Sequence, residues 1–281
     1  MNRKIESVFK SKPTIEGAGV NLKRVFGYNE VPLLDPFLLL DDFRSRDPKD
    51  YIAGFPWHPH RGIETVTYML EGTVEHGDSM GNKGIIGPGD VQWMTAGSGI
   101  IHQEMPKGIN GHMGGFQLWV NLPSTHKMMG PRYREIKKEQ IPEISPGKGI
   151  NIRVISGEAG GIKGPVKDLV VDSEYLDVSM EPNMEFIHKI QKGYRVFAYV
   201  IEGNGFFEPE NSNSIDREHL VIFKDGDNVQ ISSGDQNLRF LLISGKPIGE
   251  PVAWYGPIVM NTREELEIAF EEYRNGTFIK K

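Results

Sequence analysis

The chain has 281 residues and no cysteine, which excludes disulfide frameworks, thiolate metal sites, iron–sulfur clusters and cysteine nucleophiles. Any bound metal must therefore use histidine, carboxylate or water ligands. A net charge of −6 argues against a basic nucleic-acid-binding surface spread over the whole protein. The 38% apolar and 25% charged residues are typical of a globular chain, and the 33 glycines and 18 prolines indicate a turn-rich β fold.

The first 50 residues contain no apolar run as long as a signal peptide or a membrane span. The longest apolar stretch there, residues 36–40, is far too short for either. We therefore expect a cytoplasmic protein that does not bind a membrane and does not bind nucleic acid directly. We also expect a monomer.

Residues 20–125 consist of short apolar runs separated by turn residues. Runs rich in strand-forming residues occur at 66–70, 91–94 and 116–120, with two turn signals in residues 84–90. No long helical period is found in this part of the chain. Several short strands at such spacing predict a β-sandwich or β-barrel.

Residues 124–149 are charged and proline-containing, a composition typical of a linker between domains. This predicts an N-terminal domain over residues 1–137 and a C-terminal domain over residues 138–281. Strand-like runs resume in the second half, at residues 178–180, 196–201, 220–223 and 240–243.

Only the C-terminal end predicts an α-helix. Thr262 and Glu265 have the spacing of a capping box, apolar residues from Leu266 onward follow on one face, and Asn275-Gly276 is a stop signal. We interpret this segment as a short helix that packs against the second domain.

Two short motifs recur in the same order in the two halves. The run from Tyr68 to Gly72 matches the run from Tyr199 to Gly203. The segment at residues 88–92 matches the segment at residues 225–230. These echoes predict a duplicated β-domain.

Two pairs of potential metal ligands lie in extended segments of the first domain. His58 and His60 are two residues apart, as are His102 and Glu104, so each pair projects from one face of a strand. On neighbouring strands, all four side chains would enter a barrel interior. Three imidazoles and one carboxylate suit Fe(II), Mn, Ni, Cu or Zn better than Mg or Ca, and leave positions open for a substrate oxygen and O₂.

Glu64 competes with Glu104 for the fourth ligand position. It lies four residues after His60, shares the strand parity of both histidines, and many cupins supply a carboxylate at this spacing. Periodicity alone leaves the choice between the two glutamates open.

Other polar and aromatic residues receive ordinary structural interpretations. We interpret His76 and Asp78 as part of a solvated turn, although a position at the mouth of a metal pocket is an alternative. Asp41 and Asp42 are interpreted as surface or capping residues. Trp93 and Met94 are predicted core residues, with stacking of an aromatic on a flat substrate as the alternative.

The motifs together closely resemble those of the pirin family of bicupins. They are HPHRG, ETV and LEG in residues 58–72, followed by GPGDVQWMTAGSGIIHQEMP at residues 87–106. Three further motifs, DPFLLLDDF (35–43), FQLWVNLP (116–123) and GPIVMNT (256–262), reinforce the resemblance, which covers nearly the whole chain.

The resemblance implies an all-β fold of two tandem cupin barrels of the double-stranded β-helix (jelly-roll) type. It also implies one mononuclear metal, most often Fe(II), in the N-terminal barrel. Carried over residue by residue, the family's ligands fall on His58, His60, His102 and Glu104, which favours Glu104 over Glu64. In the second half only His188, beside Lys189, lies at the corresponding place, and residues 235–240, taken as the match of the His-x-Glu segment, contain no histidine. We therefore predict that the C-terminal barrel binds no metal.

The resemblance further implies a dioxygenase of the quercetin 2,3-dioxygenase type, which opens the ring of a flavonol, a small planar aromatic substrate, with O₂ and releases carbon monoxide. Glu104, or Glu64 from further away, would accept the proton of the substrate's 3-hydroxyl group. The alternative hypothesis is a non-enzymatic, iron-dependent regulatory protein that senses redox state and binds a protein partner.

Overall fold

The computed structural model describes residues 1–209 and 213–280, and most of its regular structure is β-strand. The chain forms two compact units. The larger unit comprises Lys12–Lys138 and Ile248–Lys281, and the smaller unit comprises Met1–Ser11 and Glu139–Pro247.

The larger unit contains a seven-stranded sheet, a four-stranded sheet, a terminal hairpin and the α-helix. Its strands are β2 (Lys12–Glu16), β3 (Val20–Phe26), β4 (Phe37–Asp42), β5 (Phe55–His60), β6 (Ile63–Glu71), β7 (Thr73–Asp78), β8 (Lys83–Ile86), β9 (Val91–Thr95), β10 (Ile100–Lys107), β11 (Gly114–Asn121), β12 (Arg132–Ile136), β25 (Ala253–Tyr255) and β26 (Ile258–Met260). The helix α1 is Arg263–Arg274, and single 3₁₀ turns span Tyr28–Glu30 and Pro48–Asp50. The sheet orders are β12-β9-β6-β11-β4-β3-β2 and β5-β10-β7-β8.

The smaller unit repeats this arrangement. Its strands are β1 (Ile5–Lys10), β13 (Glu143–Gly147), β14 (Ile150–Ser156), β15 (Glu158–Ala159), β16 (Ile162–Lys163), β17 (Ser173–Met180), β18 (Glu185–Lys189), β19 (Arg195–Glu202), β20 (Asn204–Phe206), β21 (Ile215–Asp216), β22 (His219–Phe223), β23 (Asn228–Ser233) and β24 (Leu238–Gly245), preceded by a 3₁₀ turn at Lys138–Gln140. The sheet orders are β1-β22-β19-β24-β17-β14-β13 and β18-β23-β20-β21. The predicted fold, two cupin barrels with a C-terminal helix, is confirmed.

The matching sheet orders confirm the first sequence echo and correct the second. Tyr68 lies on β6 and Tyr199 on β19, the third strands of equivalent sheets. The second echo is wrong, because Val91 begins β9 of a seven-stranded sheet whereas Asn228 begins β23 of a four-stranded sheet. By the same correspondence the counterpart of β10 is β23, so residues 235–240 are not the equivalent of the His-x-Glu segment.

The terminal segments do not follow the predicted division into residues 1–137 and 138–281. β1 pairs along β22, with Val8 opposite Val221, which attaches the N-terminal residues to the smaller unit. At the other end, β26 and the helix α1 belong to the larger unit, where the Val259 amide donates to the Arg61 carbonyl at 3.1 Å. The interpretation of the helix as packing against the second domain is therefore wrong, because its buried Ala269 packs with Ile258 and Met260 of the larger unit. Backbone pairing over long sequence separation, which composition does not reveal, decides both attachments.

The predicted linker at residues 124–149 is partly regular structure. β12 pairs with β9 and β13 pairs with β14, so this stretch supplies an edge strand to each unit. The C-terminal helix has the predicted capping box, in which the Thr262 hydroxyl accepts from the Glu265 amide and the Glu265 carboxylate accepts from the Thr262 amide. Within residues 1–209 and 213–280, no helix is both long and apolar enough to cross a membrane.

Candidate metal centre

Three histidine side chains meet on the inner face of the four-stranded sheet of the larger unit. β5 and β10 are antiparallel neighbours, and His58 lies directly opposite His102. His60 projects from the same face of β5 because successive side chains of a strand alternate. One ligand nitrogen from each of the three imidazoles lies within 4.8 Å of the other two.

Backbone carbonyls fix the orientation of two of these rings. The Nδ1 atoms of His58 and His60 donate to the carbonyl oxygens of Pro56 and Pro257, at 2.9 and 3.0 Å. Each ring therefore presents an unprotonated Nε2 to the interior. These two Nε2 atoms lie 3.0 Å apart, and the His102 Nε2 lies 2.9 Å from that of His58.

This convergence of lone pairs fits a metal cation. Two unprotonated nitrogens at that separation repel each other unless a positive charge lies between them, and a transition metal with nitrogen ligands supplies one. Burial lowers the pKa of His58, lowers that of His60 to about 3, and lowers that of His102 well below its usual value, with help from the neighbouring imidazoles. All three rings are thus neutral at pH 7, the form that binds metal.

Glu104 lies two residues after His102 on β10, in the wall of the same cavity. Its Oε1 accepts a hydrogen bond of 3.1 Å from the Thr67 hydroxyl. Burial raises the pKa of this carboxyl to about 7, against the opposing effect of the Thr67 hydrogen bond. The converging ligand atoms are those of the three imidazoles, so the role of Glu104 as fourth ligand stays a prediction.

The structure places Glu64 away from the cavity. The Glu64 Oε1 accepts from the Thr95 hydroxyl at 2.6 Å and lies 3.4 Å from the Arg134 guanidinium. Strand parity does not carry over from His60 to Glu64 because Gly62, with φ +78°, interrupts the extended backbone between β5 and β6. On β6, Thr67 lines the cavity and Glu64 projects from the opposite face.

The interpretation of His76 and Asp78 as a solvated turn is wrong. Both lie on β7, opposite Glu104 and His102 of β10, and are only 4% and 6% exposed. The Gln92 amide donates to His76 Nδ1 at 2.8 Å, and His76 Nε2 lies 3.3 Å from Asp78 Oδ2. The glycine at position 77 and those that follow suggested a turn, although residues 73–78 form a strand. In the sequence, only the i, i+2 spacing of His76 and Asp78 indicated that strand.

Asp41 and Asp42 are not surface residues either, since they are 5% and 1% exposed on β4. Asp41 lines the cavity and accepts two hydrogen bonds from Arg24, at 2.9 and 2.8 Å. Asp42, on the opposite face of the strand, accepts two from Arg44, at 2.8 and 2.6 Å. The partly exposed arginine partners come from β3 and from the residues after β4, and no sequence pattern linked them to the aspartates.

The cavity beside the histidines has a volume of about 760 Å³ and an aromatic wall. The Trp119 ring packs edge to face against the His60 ring, with 5.1 Å between their centroids. The Trp254 ring of β25 packs against Trp119, with 5.7 Å between the centroids of the two indole rings. A space of this size and lining is typical of a small-molecule binding site. Trp93 and Met94 lie in the core, as their first interpretation predicted.

The C-terminal segment holds this centre in place through contacts that the sequence did not indicate. Arg61, next to His60, donates to the carbonyls of Ser98 and Phe278 at 2.7 and 2.9 Å. The buried Lys127 ammonium donates to the carbonyls of Gly62 and Val259, at 2.9 and 3.1 Å. These bonds tie the end of β5 to the hairpin that carries Pro257.

Comparisons with known proteins agree with this architecture. The family model for Pirin matches residues 19–120, and the model for the Pirin C-terminal cupin domain matches residues 175–279. A pirin-like protein of Caulobacter vibrioides is 43% identical over 277 residues, covering 98% of this chain and 99% of that protein. Pirin of Homo sapiens is 43% identical over 278 residues, covering 98% and 93%.

A solved structure of quercetin 2,3-dioxygenase from Acinetobacter baumannii superposes with a TM-score of 0.91 at 32% identity, covering 99% of each chain. With both of its cupin domains matched by family models and close relatives along its full length, the chain belongs to the pirin family of two-barrel cupin proteins.

Proposed function

We propose that the protein is a mononuclear metal-dependent dioxygenase that cleaves a flavonol or a similar planar, enolic substrate with O₂. The observation that carries the proposal is the convergence of three neutral imidazoles at the wall of an aromatic cavity of about 760 Å³. The solved relative named quercetin 2,3-dioxygenase supports this substrate class, since its fold covers 99% of this chain.

The metal would be held by His58, His60 and His102, with Glu104 as the proposed fourth ligand. These donors suit Fe(II), our first choice from the family resemblance, and also Mn, Ni, Cu or Zn. When bound, such a metal supplies Lewis acidity and, for the redox-active ions, one-electron chemistry toward O₂.

Glu104 is the proposed acceptor for the proton of the substrate's enolic hydroxyl. Burial raises the pKa of Glu104 to about 7, and a general base works best when its pKa lies near the pH of the reaction. The Thr67 hydroxyl, at 3.1 Å, holds the carboxylate toward the cavity. To act as a base, Glu104 must release any metal contact that it makes.

The aromatic wall would orient the substrate and exclude water. Trp119 and Trp254 offer flat apolar faces against which a planar ring system can stack. Exclusion of water strengthens electrostatic interactions between the substrate and the buried side chains.

The test combines metal analysis with turnover in paired variants. Bound metal is quantified in the purified protein, and the loss of flavonol absorbance is followed together with O₂ uptake. We expect His102→Ala to lose both metal and turnover. His112→Ala, whose imidazole is 43% exposed and does not line the cavity, is the matched control and should keep both.

Turnover that persists unchanged in His102→Ala would refute the site. Stoichiometric metal without flavonol-dependent O₂ uptake in the unmodified protein would refute the dioxygenase and favour the regulatory alternative, an iron-dependent redox sensor with a protein partner. Five expectations stay predictions: the regulatory alternative, iron as the native metal, a second barrel without metal, the monomeric state and the cytoplasmic location.

A further inference from the structure

A row of polar side chains crosses the inner face of the seven-stranded sheet in the larger unit. Five residues on adjacent strands are direct cross-strand partners: Arg24 on β3, Asp41 on β4, Gln117 on β11, Thr67 on β6 and Gln92 on β9. Directly paired residues project from the same face of a sheet. The first four line the cavity beside the histidines.

The five equivalent positions in the smaller unit are all occupied by apolar residues. Aligning Tyr68 with Tyr199 and following the same pairings gives Val154, Leu176, Leu242, Ala198 and Val221. All five are buried in the apolar core of that unit. The smaller unit therefore folds the same sheet without polar residues at these positions, whereas the larger unit buries polar groups there at a free-energy cost.

Hydrogen bonds account for part of the polar row and leave acceptor capacity at Asp41. The Thr67 hydroxyl lies 2.7 Å from Gln117 Oε1 and 3.1 Å from Glu104 Oε1. The Arg24 guanidinium donates one hydrogen bond to each Asp41 oxygen. A carboxylate has about four acceptor positions, so Asp41 retains capacity for further donors at the cavity wall.

The charges around Asp41 select the kind of group it can bind. Arg24 also pairs with Glu16, at 2.9 Å, so one guanidinium lies between two carboxylates. This trio has a net negative charge, which disfavours carboxylates and phosphates. A neutral ligand whose hydroxyl groups donate hydrogen bonds meets a buried, charged acceptor instead, and such bonds are the stronger kind.

We infer that Asp41, oriented by Arg24, determines specificity for hydroxyl groups of the substrate that are remote from the metal, an inference that rests on the proposed function. Asp41 and Thr67 are two strands apart, about 10 Å across the sheet, and Thr67 contacts Glu104. A planar three-ring polyphenol can therefore present its enolic oxygen near Glu104 and a phenolic hydroxyl to Asp41.

The experiment compares the binding of two probes to metal-loaded protein under nitrogen, where no turnover occurs. Quercetin carries remote hydroxyl groups, and 3-hydroxyflavone shares its enolic group but lacks them. Kd values are obtained from quenching of tryptophan fluorescence, to which Trp119 and Trp254 of the cavity contribute. The matched variants are Asp41→Asn and Asp42→Asn, since both aspartates are buried on β4 and paired with an arginine, but only Asp41 lines the cavity.

We expect the unmodified protein and Asp42→Asn to bind quercetin about tenfold more tightly than 3-hydroxyflavone, and Asp41→Asn to lose most of this preference. Thermal unfolding establishes that each variant is folded. If Asp41→Asn does not fold, Arg24→Gln, which leaves Asp41 without its orienting partner, should lower the same ratio.

An unchanged ratio in a folded Asp41→Asn or Arg24→Gln protein would overturn the inference, as would equal affinity for the two probes in the unmodified protein. Both results leave the proposed function intact. Failure of the unmodified protein to bind either probe would overturn the proposed function and this inference together.

Discussion

Replacing Gly62 with alanine should disturb the candidate metal centre without touching a ligand. Gly62 lies between β5, which ends at His60, and β6. Its φ of +78° is in the left-handed region, and an added Cβ would come closer than 3.0 Å to the Val259 carbonyl oxygen. Because that atom belongs to the backbone of β26, the strand itself must shift.

The structure separates the cost into two parts. A positive φ costs a residue with a Cβ about 1–2 kcal/mol. Displacing β26 would also weaken the hydrogen bond from the Val259 amide to the Arg61 carbonyl, at 3.1 Å, and the bonds from the Lys127 ammonium to the Gly62 and Val259 carbonyls. Each buried polar group left unpaired costs about 1–3 kcal/mol of stability. We therefore expect Gly62→Ala to lower the free energy of unfolding by about 3–5 kcal/mol.

The same shift should weaken metal binding. Pro257, two residues before Val259, supplies the carbonyl that orients His60 at 3.0 Å, and loss of such an outer partner costs about 10–100-fold in metal affinity. Gly161→Ala is the control, because its φ of +80° matches but nothing lies within 4 Å of its Cβ. It should lose only about 1–2 kcal/mol and no affinity.

Urea unfolding of the metal-free proteins and competition with a chelator for Zn(II) measure the two effects. If Gly62→Ala and Gly161→Ala lose the same stability and retain the same metal affinity, the proposed coupling of the C-terminal hairpin to His60 is wrong.

Three further predictions follow from individual side chains. Burial raises the pKa of Glu104 to about 7, so at pH 7, where the three histidines are neutral, metal binding should release about half a proton, and this release should fall toward zero as the pH rises past 8. Glu104→Gln should release none at pH 7; calorimetry in buffers of different ionisation enthalpy measures this, and equal release by both proteins would show that Glu104 is not a ligand. Arg61→Met should lower the free energy of unfolding by about 3–5 kcal/mol, because the buried guanidinium donates to two carbonyl oxygens. Arg263→Met, at a side chain that is 85% exposed, should change it by no more than about 0.5 kcal/mol. Similar losses in the two variants would refute the inference that Arg61 holds the C-terminal segment against the metal centre. Thr262→Ala should cost about 1 kcal/mol through its capping box and leave flavonol turnover unchanged, and a loss of turnover would contradict a purely structural role.

Much of the candidate site could be predicted from local spacing. The i, i+2 pairing of His58 with His60 places two imidazoles on one face of any strand, and β5 has that geometry. The spacing of Thr262 and Glu265 predicted the helix start for the same reason, since a capping box depends only on neighbouring residues.

Extrapolation of strand parity failed where the backbone left the extended conformation. Gly62 turned Glu64 away from the cavity. Glycines around His76 suggested a turn, yet pairing with β10 holds that segment as a strand. In both cases a glycine allows more than one backbone conformation, and neighbouring strands select one of them.

The sequence by itself determined the fold class, the duplication and the chemistry of the donor set, because strand periodicity, short motifs and the absence of cysteine are local properties. Only the tertiary structure decided which side chains share the cavity. Asp41 and Asp42 are adjacent and chemically identical, yet one lines the cavity with Arg24 and the other projects from the opposite face with Arg44. Strand register and long-range pairing make that distinction, since they bring together residues such as His60 and Pro257 that lie far apart in the chain.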